Sequence, residues 1–134
     1  MPKQYLNPAE LFPSQQFGFS QIVTSSGGKT VYLSGQVGWD AQQQIVGPDD
    51  PLAQTRQTLK NIQTAMRIAG GALSDVVSMR IYIVDAVMDD DRFMTQALRE
   101  FFPKEQLPAT TWIGVKSLAN PDFLVEIEAV GVIG

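Results

Sequence analysis

The sequence contains neither cysteine nor histidine. Without cysteine the chain forms no disulfide and has no thiolate that could act as a nucleophile or a metal ligand. Without histidine it lacks the side chain that most often serves as a general base and as a ligand of transition metals. A metal site would need oxygen ligands alone, and no carboxylate loop of the calcium-binding type is present. We therefore expect no metal site and no cofactor held by one.

Long apolar runs and an excess of basic residues are also missing. No run approaches the ~20 apolar residues that a membrane-spanning helix requires, and the residues after Met1 lack the basic and apolar stretches of a signal peptide. The formal net charge is −4 and the sequence pI is about 4.6, which argues against binding to nucleic-acid phosphates. We expect a cytoplasmic protein that binds neither membranes nor nucleic acids.

The remaining composition is typical of one globular domain. The 134 residues are 44% hydrophobic and 18% charged, and a chain of this length can bury roughly two-thirds of its unfolded surface without disulfides. No internal repeat, low-complexity tract or linker divides the sequence. We therefore interpret residues 1–134 as a single domain.

Periodicity predicts strands interspersed with amphipathic helices. Strands are predicted where β-forming or alternating apolar residues occur, at residues 17–25, 30–37, 76–84, 110–116 and 123–133. The first two flank a Ser-Gly-Gly turn signal and are predicted to form a hairpin, after an irregular arm over residues 1–16. Gly35 inside the second strand indicates a bulge, or a place where another group approaches the backbone closely.

Two helices are predicted from their capping residues and apolar spacing. The first begins at Asp50 and Pro51, a capping carboxylate followed by a residue whose missing N–H costs nothing at a helix start, and it ends at Gly70. The second follows three aspartates at 89–91, which the helix dipole favours at this end. In both helices apolar residues recur at spacings of three and four, so each has a face that can cover a sheet.

The strands predict a sheet with one apolar face and one mixed face, because alternate side chains point to opposite sides. The helices can cover the apolar face. The mixed face is predicted to carry Tyr32, Ser34, Gln36, Ser78, Arg80, Tyr82, Thr110, Trp112, Glu126 and Glu128. Aromatic residues and arginine are enriched at interfaces, so we expect this face to pack against other copies of the chain. Arg80 is expected to pair with Glu126 or Glu128 across neighbouring strands.

An ordered set of short motifs extends along nearly the whole chain: Phe19-Ser20-Gln21, Ser34-Gly35-Gln36, the helical run 54–62, Pro108-Ala109 and Val125-Glu126-Ile127-Glu128-Ala129. Together they resemble the Rid/YjgF (reactive-intermediate deaminase) family, in which Tyr is usual in place of Phe19. The resemblance implies an α+β fold of the chorismate-mutase-like type, with a mostly antiparallel six-stranded sheet and two helices on one face. It also implies a homotrimer with three clefts between its subunits.

The same resemblance implies a reaction. Family members with the full motif set hydrolyse imines and enamines of amino acids to a keto acid and ammonia, without a cofactor. Carried over to this sequence, the resemblance implies that Glu126 orients or activates the attacking water and that Ser34 and Gly35 hold the substrate. All three residues are present in this chain.

The sequence departs from the family at the residue that binds the substrate carboxylate. Thr110 stands where the family has an arginine, and threonine cannot replace a guanidinium that binds a carboxylate bidentately with a permanent charge. Two residues later Trp112 replaces a small residue. We expect Phe19, Thr110 and Trp112 to shape a pocket that is less cationic and more aromatic than in the family.

Fold does not determine function, and three functions remain open. The first is a Rid-like hydrolase or deaminase acting on a small imine, enamine or related metabolite that lacks the usual carboxylate. The second is a trimer that binds a small molecule in its clefts without turnover, because mostly apolar pockets with few polar groups are typical of ligand sites. The third is RNA cleavage, a label that family members have carried, which the acidic pI and the absence of histidine disfavour.

Overall fold

A computed structural model describes residues 3–134 and shows a mixed α+β architecture. The strands of the described residues are β1 Gln4–Leu6, β2 Ile22–Thr24, β3 Lys29–Val37, β4 Val76–Val84, β5 Ala109–Val115 and β6 Val125–Ile133. The helices are α1 Pro51–Ile68, α2 Asp85–Met88 and α3 Arg92–Phe101. Short 3-10 turns occupy Ser14–Phe17, Leu73–Asp75 and Lys104–Gln106.

The strands form two sheets. β3, β6, β4 and β5 make a four-stranded sheet in that order, antiparallel except for the parallel β4–β5 pair. β1 and β2 form a separate two-stranded antiparallel sheet. The predicted α+β class and the mostly antiparallel pairing are confirmed, but the six strands are divided between two sheets instead of forming one.

The N-terminal quarter of the chain differs from the prediction. The arm contains a strand, Gln4–Leu6, and its partner is β2. The strand predicted at 17–25 shortens to Ile22–Thr24, because a 3-10 turn occupies Ser14–Phe17 and Gly18 follows it with a φ of 97°. Met1 and Pro2, which belong to the predicted arm, lie outside the described residues.

The predicted hairpin between the second and third strands is wrong. β3 pairs with β6, in a register that extends from Lys29 opposite Ile133 to Val37 opposite Glu126. β2 has only three residues and cannot form a ladder of that length with β3, so β3 pairs with β6 although β6 is distant in sequence. Gly27 and Gly28 both adopt positive φ between the two strands, and the chain passes there from one sheet to the other.

Helix α1 begins where the sequence predicts. Asp50 Oδ1 accepts the backbone N–H of Ala53 at 3.1 Å, and Pro51 occupies the first position. Removing a cap of this kind costs about 1 kcal/mol. After the helix the chain leaves through Gly70, whose φ of 103° is a left-handed conformation that favours glycine. Helix α3 begins at Arg92, directly after the three aspartates.

Helices α1 and α3 pack together over one face of the four-stranded sheet, as predicted, and α2 adds a single turn before α3. Their buried apolar side chains join those of the central strands in one core that includes Leu59, Ile62, Met66, Met94, Leu98, Met79, Ile81 and Ile127. Each buried side chain of this size contributes roughly 1.5–3 kcal/mol to folding. Within residues 3–134, every helix is too short or too polar to cross a membrane.

Candidate functional site

The predicted bulge in β3 lies at Ser34 and Gly35. The register between β3 and β6 shifts there, so the two residues together oppose a single residue of β6. A Cβ added to Gly35 would overlap Glu126 Oε2, so the carboxylate can hold this position only because residue 35 has no side chain. Both alternatives raised by the sequence, a bulge and a close approach, are therefore found. The bulge also places Gln36 opposite Ile127, on the core side, which corrects its predicted place on the mixed face.

Glu126 is half-buried beside Gly35. Within residues 3–134 its carboxylate has no hydrogen-bond or ion-pair partner, and the exposed hydroxyl of Ser34 has none either. A partly desolvated carboxylate without a partner is a strong acceptor for a water molecule or a substrate N–H. The Glu126 carboxylate can therefore accept a hydrogen bond from a water molecule or a ligand.

Glu128, two residues further along β6, is already engaged. It accepts a short hydrogen bond from the hydroxyl of Tyr82, and Arg80 Nη1 lies 3.8 Å from its Oε1. The pKa of the Tyr82 phenol is raised mainly by the hydrogen bond to Glu128 and to a smaller extent by desolvation, so Tyr82 remains protonated at neutral pH. The predicted pairing of Arg80 with one of the two glutamates is confirmed, and the partner is Glu128.

Glu126 and Gly35 line a cleft of about 670 Å³ between the loop after β3, helix α1 and the segment before β6. Trp39 and Phe123 form an edge-to-face pair in its wall, with ring centroids 4.8 Å apart. Asp40 adds a second carboxylate, and the lining residues from the described part of the chain include no lysine or arginine. We call this space the large cleft.

Two amide side chains of α1 hold the walls of the large cleft. Asn61 donates from Nδ2 to the carbonyl oxygens of Val37 and Trp39, at 3.0 and 2.9 Å. Gln54 is fully buried and accepts the N–H of Leu124 at 2.9 Å, while its own Nε2 donates to two loop carbonyls. The loop after β3 and the segment entering β6 are thus tied to one rigid helix, which keeps the cleft preformed.

Phe19, Thr110 and Trp112 form a second cluster at strand β5, which we call the aromatic group. Trp112 donates its indole N–H to Thr110 Oγ1 at 3.0 Å, and its ring centroid lies 6.0 Å from that of Phe19. Phe12 extends the group, with its centroid 6.1 Å from Phe19. Trp112 is half-buried and packs against the core. An indole therefore occupies the space beside the Thr110 hydroxyl.

The structure corrects the side of the sheet to which Thr110 and Trp112 belong. In the parallel β4–β5 ladder Thr110 lies opposite Met79, and Trp112 lies opposite Ile81. Both partners are buried in the core, so the two residues are on the helix-covered side and not on the mixed face. The prediction failed because apolar residues occur in both phases of Thr-Thr-Trp-Ile-Gly-Val, so alternation cannot decide between the two faces.

Within one protomer the predicted site residues fall into two separate sets. Ser34, Gly35 and Glu126 lie together on β3 and β6, whereas the aromatic group lies at β5. β3 and β5 are opposite edges of the four-stranded sheet, and strands spaced ~4.8 Å apart separate them by about 14 Å. Glu126 also registers with Tyr82 on the uncovered face, while Thr110 is on the other side. A single protomer does not bring the two sets together.

Sequence reasoning missed the other residues of the large cleft, Trp39, Asp40, Asn61 and Phe123. No periodic pattern links a loop after β3 with the segment before β6, because these meet only through tertiary packing. Asn61 was the one residue that could have indicated this cleft from the sequence. It directly precedes buried Ile62 on α1, where its side-chain amide can donate hydrogen bonds to carbonyl groups of a neighbouring loop.

The fold and the motifs can now be compared with known proteins. The model of the Endoribonuclease L-PSP family matches residues 11–133. The chain is similar to YyfB of Yersinia pestis, a Rid-family protein of unknown function, with 37% identity, 99% and 100% of the two chains covered and a TM-score of 0.93. RidA from an Antarctic Psychrobacter is 30% identical, with 86% and 88% covered and a TM-score of 0.71. Rv2704 of Mycobacterium tuberculosis, from the YjgF family, is 30% identical, with 98% and 100% covered and a TM-score of 0.65. The chain therefore belongs to the endoribonuclease L-PSP family, the family of the Rid and YjgF proteins.

Proposed function

We propose that this protein hydrolyses small imines or enamines that lack the carboxylate of 2-imino acids, at clefts between the subunits of a homotrimer. Glu126 carries this proposal, because it is a half-buried carboxylate without a partner in residues 3–134, set against the backbone at a preformed cleft. Imine hydrolysis requires an activated water, a proton on nitrogen and a positioned substrate. A carboxylate base can supply the first two in succession.

In the proposed reaction Glu126 takes a proton from water while the water oxygen bonds to the carbon of a protonated imine, which gives a neutral carbinolamine. The protonated Glu126 then returns this proton to the nitrogen. As the C–N bond breaks, its electron pair leaves with ammonia or an amine, the Glu126 carboxylate takes the hydroxyl proton and passes it to the departing amine, and the carbon keeps its oxygen as a carbonyl. An enamine enters the same sequence after it takes up a proton at carbon to become an imine. Water is the only co-reactant, so no cofactor is required.

The separation of the two residue sets supports an assembly of several copies. The aromatic group lies at one edge strand and Glu126 beside the other, so the two can complete one site only across a subunit interface. The uncovered face of the sheet mixes aromatic and charged side chains, and Tyr32 on it is 79% exposed; such a composition suits an interface. Sedimentation equilibrium should give three times the 14.7 kDa chain mass, and a purely monomeric species at micromolar concentration would rule out this arrangement.

Thr110 and Trp112 support a substrate without a carboxylate. The Thr110 hydroxyl already accepts the Trp112 N–H at 3.0 Å, and it carries no charge. A pair of charge-assisted hydrogen bonds of roughly 1.5–3 kcal/mol each is missing relative to an arginine clamp. The loss corresponds to a carboxylate affinity weaker by about two orders of magnitude or more. The neighbouring aromatic rings instead favour an apolar or aromatic substrate body.

Glu126→Gln tests the proposed base, because the amide keeps the shape of the side chain and cannot take up the proton. We expect kcat on an imine without a carboxylate to fall by about 10²-fold or more, with substrate binding retained. Glu105→Gln is the matched control, since this substitution removes the same charge from an exposed residue that lines neither pocket beside Glu126. Equal activities of the Glu126→Gln variant and the wild type would refute the assignment.

A trimer that binds a ligand without turnover is the second candidate. The exposed aromatic side chains of Phe12 and Phe17, at 56% and 44%, extend the aromatic group and favour an apolar ligand. A small molecule that co-purifies at three per trimer, with no product formed, would support this function over hydrolysis. We do not extend the ribonuclease name of the family to this chain, because it lacks histidine and has a net charge of −4.

A further inference from the structure

Glu126 and Gly35 also border a second, smaller space of about 240 Å³, whose other lining residues are Tyr82, Leu118 and Glu128. We call it the small pocket. We propose that the small pocket receives the substrate nitrogen and that Tyr82 positions it by accepting a hydrogen bond from the N–H. This inference rests on the proposed imine hydrolysis. It selects, within that substrate class, primary imines, whose nitrogen carries hydrogen.

The sheet places Tyr82 directly beside Glu126. The two residues are partners in the antiparallel β4–β6 ladder, and partners of this kind have Cβ atoms about 4.5–5.5 Å apart. In imine hydrolysis the carbon that water attacks is bonded to the nitrogen. A base for the water and an acceptor for the N–H must therefore be neighbours, as Glu126 and Tyr82 are.

The hydroxyl of Tyr82 can act toward the substrate only as an acceptor. Its hydrogen is donated to Glu128, which Arg80 holds at 3.8 Å. The Arg80 guanidinium also lies beside the hydroxyl oxygen, so one oxygen lone pair remains for a third group. Donation to a carboxylate polarises the phenol and strengthens its oxygen as an acceptor. Arg80 and Glu128 thus fix the direction in which the Tyr82 proton points.

The small pocket is selective because its polar side chains are acceptors. Besides the hydroxyl already donated to Glu128, no side-chain donor lines it from residues 3–134. An imine N–H finds the oxygens of Tyr82 and Glu126 there. A carbonyl oxygen finds no side-chain donor, and an unpaired polar atom in such a site is unfavourable. The pocket therefore favours the imine over its hydrolysis product, which helps the carbonyl compound to leave.

The test compares two substrates that share a carbon body. One is a primary iminium ion, and the other is its N,N-dimethyl counterpart, which has no N–H; both can be generated in place by an amine oxidase. Tyr82→Phe keeps the ring and removes the acceptor. We expect kcat/KM for the primary iminium to fall roughly tenfold or more, the size of one hydrogen bond to a charged donor, and kcat/KM for the dimethyl compound to stay within about twofold. A merely structural role would lower both equally.

Tyr5→Phe is the matched control, because it removes the same hydroxyl from a half-buried tyrosine on β1 of the two-stranded sheet, away from the uncovered face and outside the small pocket. It should leave both substrates unaffected. Equal losses on both substrates for Tyr82→Phe, or no loss on either, would overturn the inference while leaving imine hydrolysis intact.

If the wild type hydrolyses neither substrate, the proposed function fails, and the proposed nitrogen site in the small pocket is then tested by ligand binding. Calorimetric titration with benzylammonium and benzyltrimethylammonium should then show a roughly tenfold preference for the primary ammonium, and this preference should disappear in Tyr82→Phe. Equal affinities of the wild type for the two ions would refute the nitrogen site independently of catalysis.

Discussion

Thr110→Arg tests whether the proposed weak binding of carboxylate substrates depends on the residue at position 110. Breaking the hydrogen bond from Trp112 Nε1 to Thr110 Oγ1, 3.0 Å long, costs about 1 kcal/mol. A guanidinium that binds a carboxylate bidentately gains about 3 kcal/mol or more. The difference corresponds to a gain of roughly 30-fold in kcat/KM. The assay is hydrolysis of 2-iminopropionate, generated in place from its amino acid by an oxidase.

The matched control for this gain is Gln106→Arg. It introduces the same charge four residues away, at an exposed position in the turn before β5, so it should produce no gain. A double variant with Trp112→Ser should exceed Thr110→Arg alone, because the indole occupies the space beside position 110. An equal gain from Gln106→Arg would refute the geometric reasoning. High activity of the wild type on this substrate would show that another group holds the carboxylate.

Two further outcomes follow from the contacts around Glu126 and Tyr82. Gly35→Ala should displace the Glu126 carboxylate, because the carboxylate leaves no space for a Cβ, and kcat should fall at least about tenfold. Gly114→Ala is the control and should leave kcat unchanged, because a Cβ at this strand position meets nothing closer than 3.5 Å. The hydrogen bond to Glu128 raises the pKa of Tyr82 above its ordinary value of 10.0, so the protonated phenol stabilises the folded state. This contribution to the free energy of unfolding is complete below pH 10.0 and is lost as the pH rises through the raised pKa. Urea unfolding from about pH 9 to 11 should therefore show a steeper loss of stability in the wild type than in Tyr82→Phe.

Strong local patterns made the central part of the fold predictable. β4 has the predicted bounds, because apolar and polar residues alternate from Val77 to Ile83 and the side chains of Met79, Ile81 and Ile83 are buried. The cap at Asp50 and the proline after it located the start of α1 for the same local reason. Gly35 was informative because a glycine inside a strand indicates a bulge or the close approach of another group, and both are found there.

The errors occur where tertiary pairing decides the outcome. A glycine turn between β2 and β3 resembles a hairpin, but β6 offers β3 the longer ladder. Thr110 and Trp112 were assigned to the wrong side of the sheet because apolar side chains occur on both faces of β5, so that its pairing with β4, and not its own alternation, sets the side. The large cleft was not foreseen, because its walls are joined by Asn61 and Gln54 hydrogen bonds between segments that are distant in sequence.

The arrangement of the two residue sets bears on the proposal that Thr110 changes the substrate and leaves the reaction intact. The groups proposed for water activation, Gly35 and Glu126, are held by the β3 bulge and the β6 ladder. The groups proposed for substrate recognition are held by β5 and the turn before β2, at the other edge of the sheet. No hydrogen bond within residues 3–134 links the two sets, so a substitution at position 110 does not disturb the contacts of Glu126 within its own protomer. Recognition and chemistry are therefore physically separable in this fold, and the proposed reaction requires only that a neighbouring subunit bring an aromatic group to a carboxylate that is already in place.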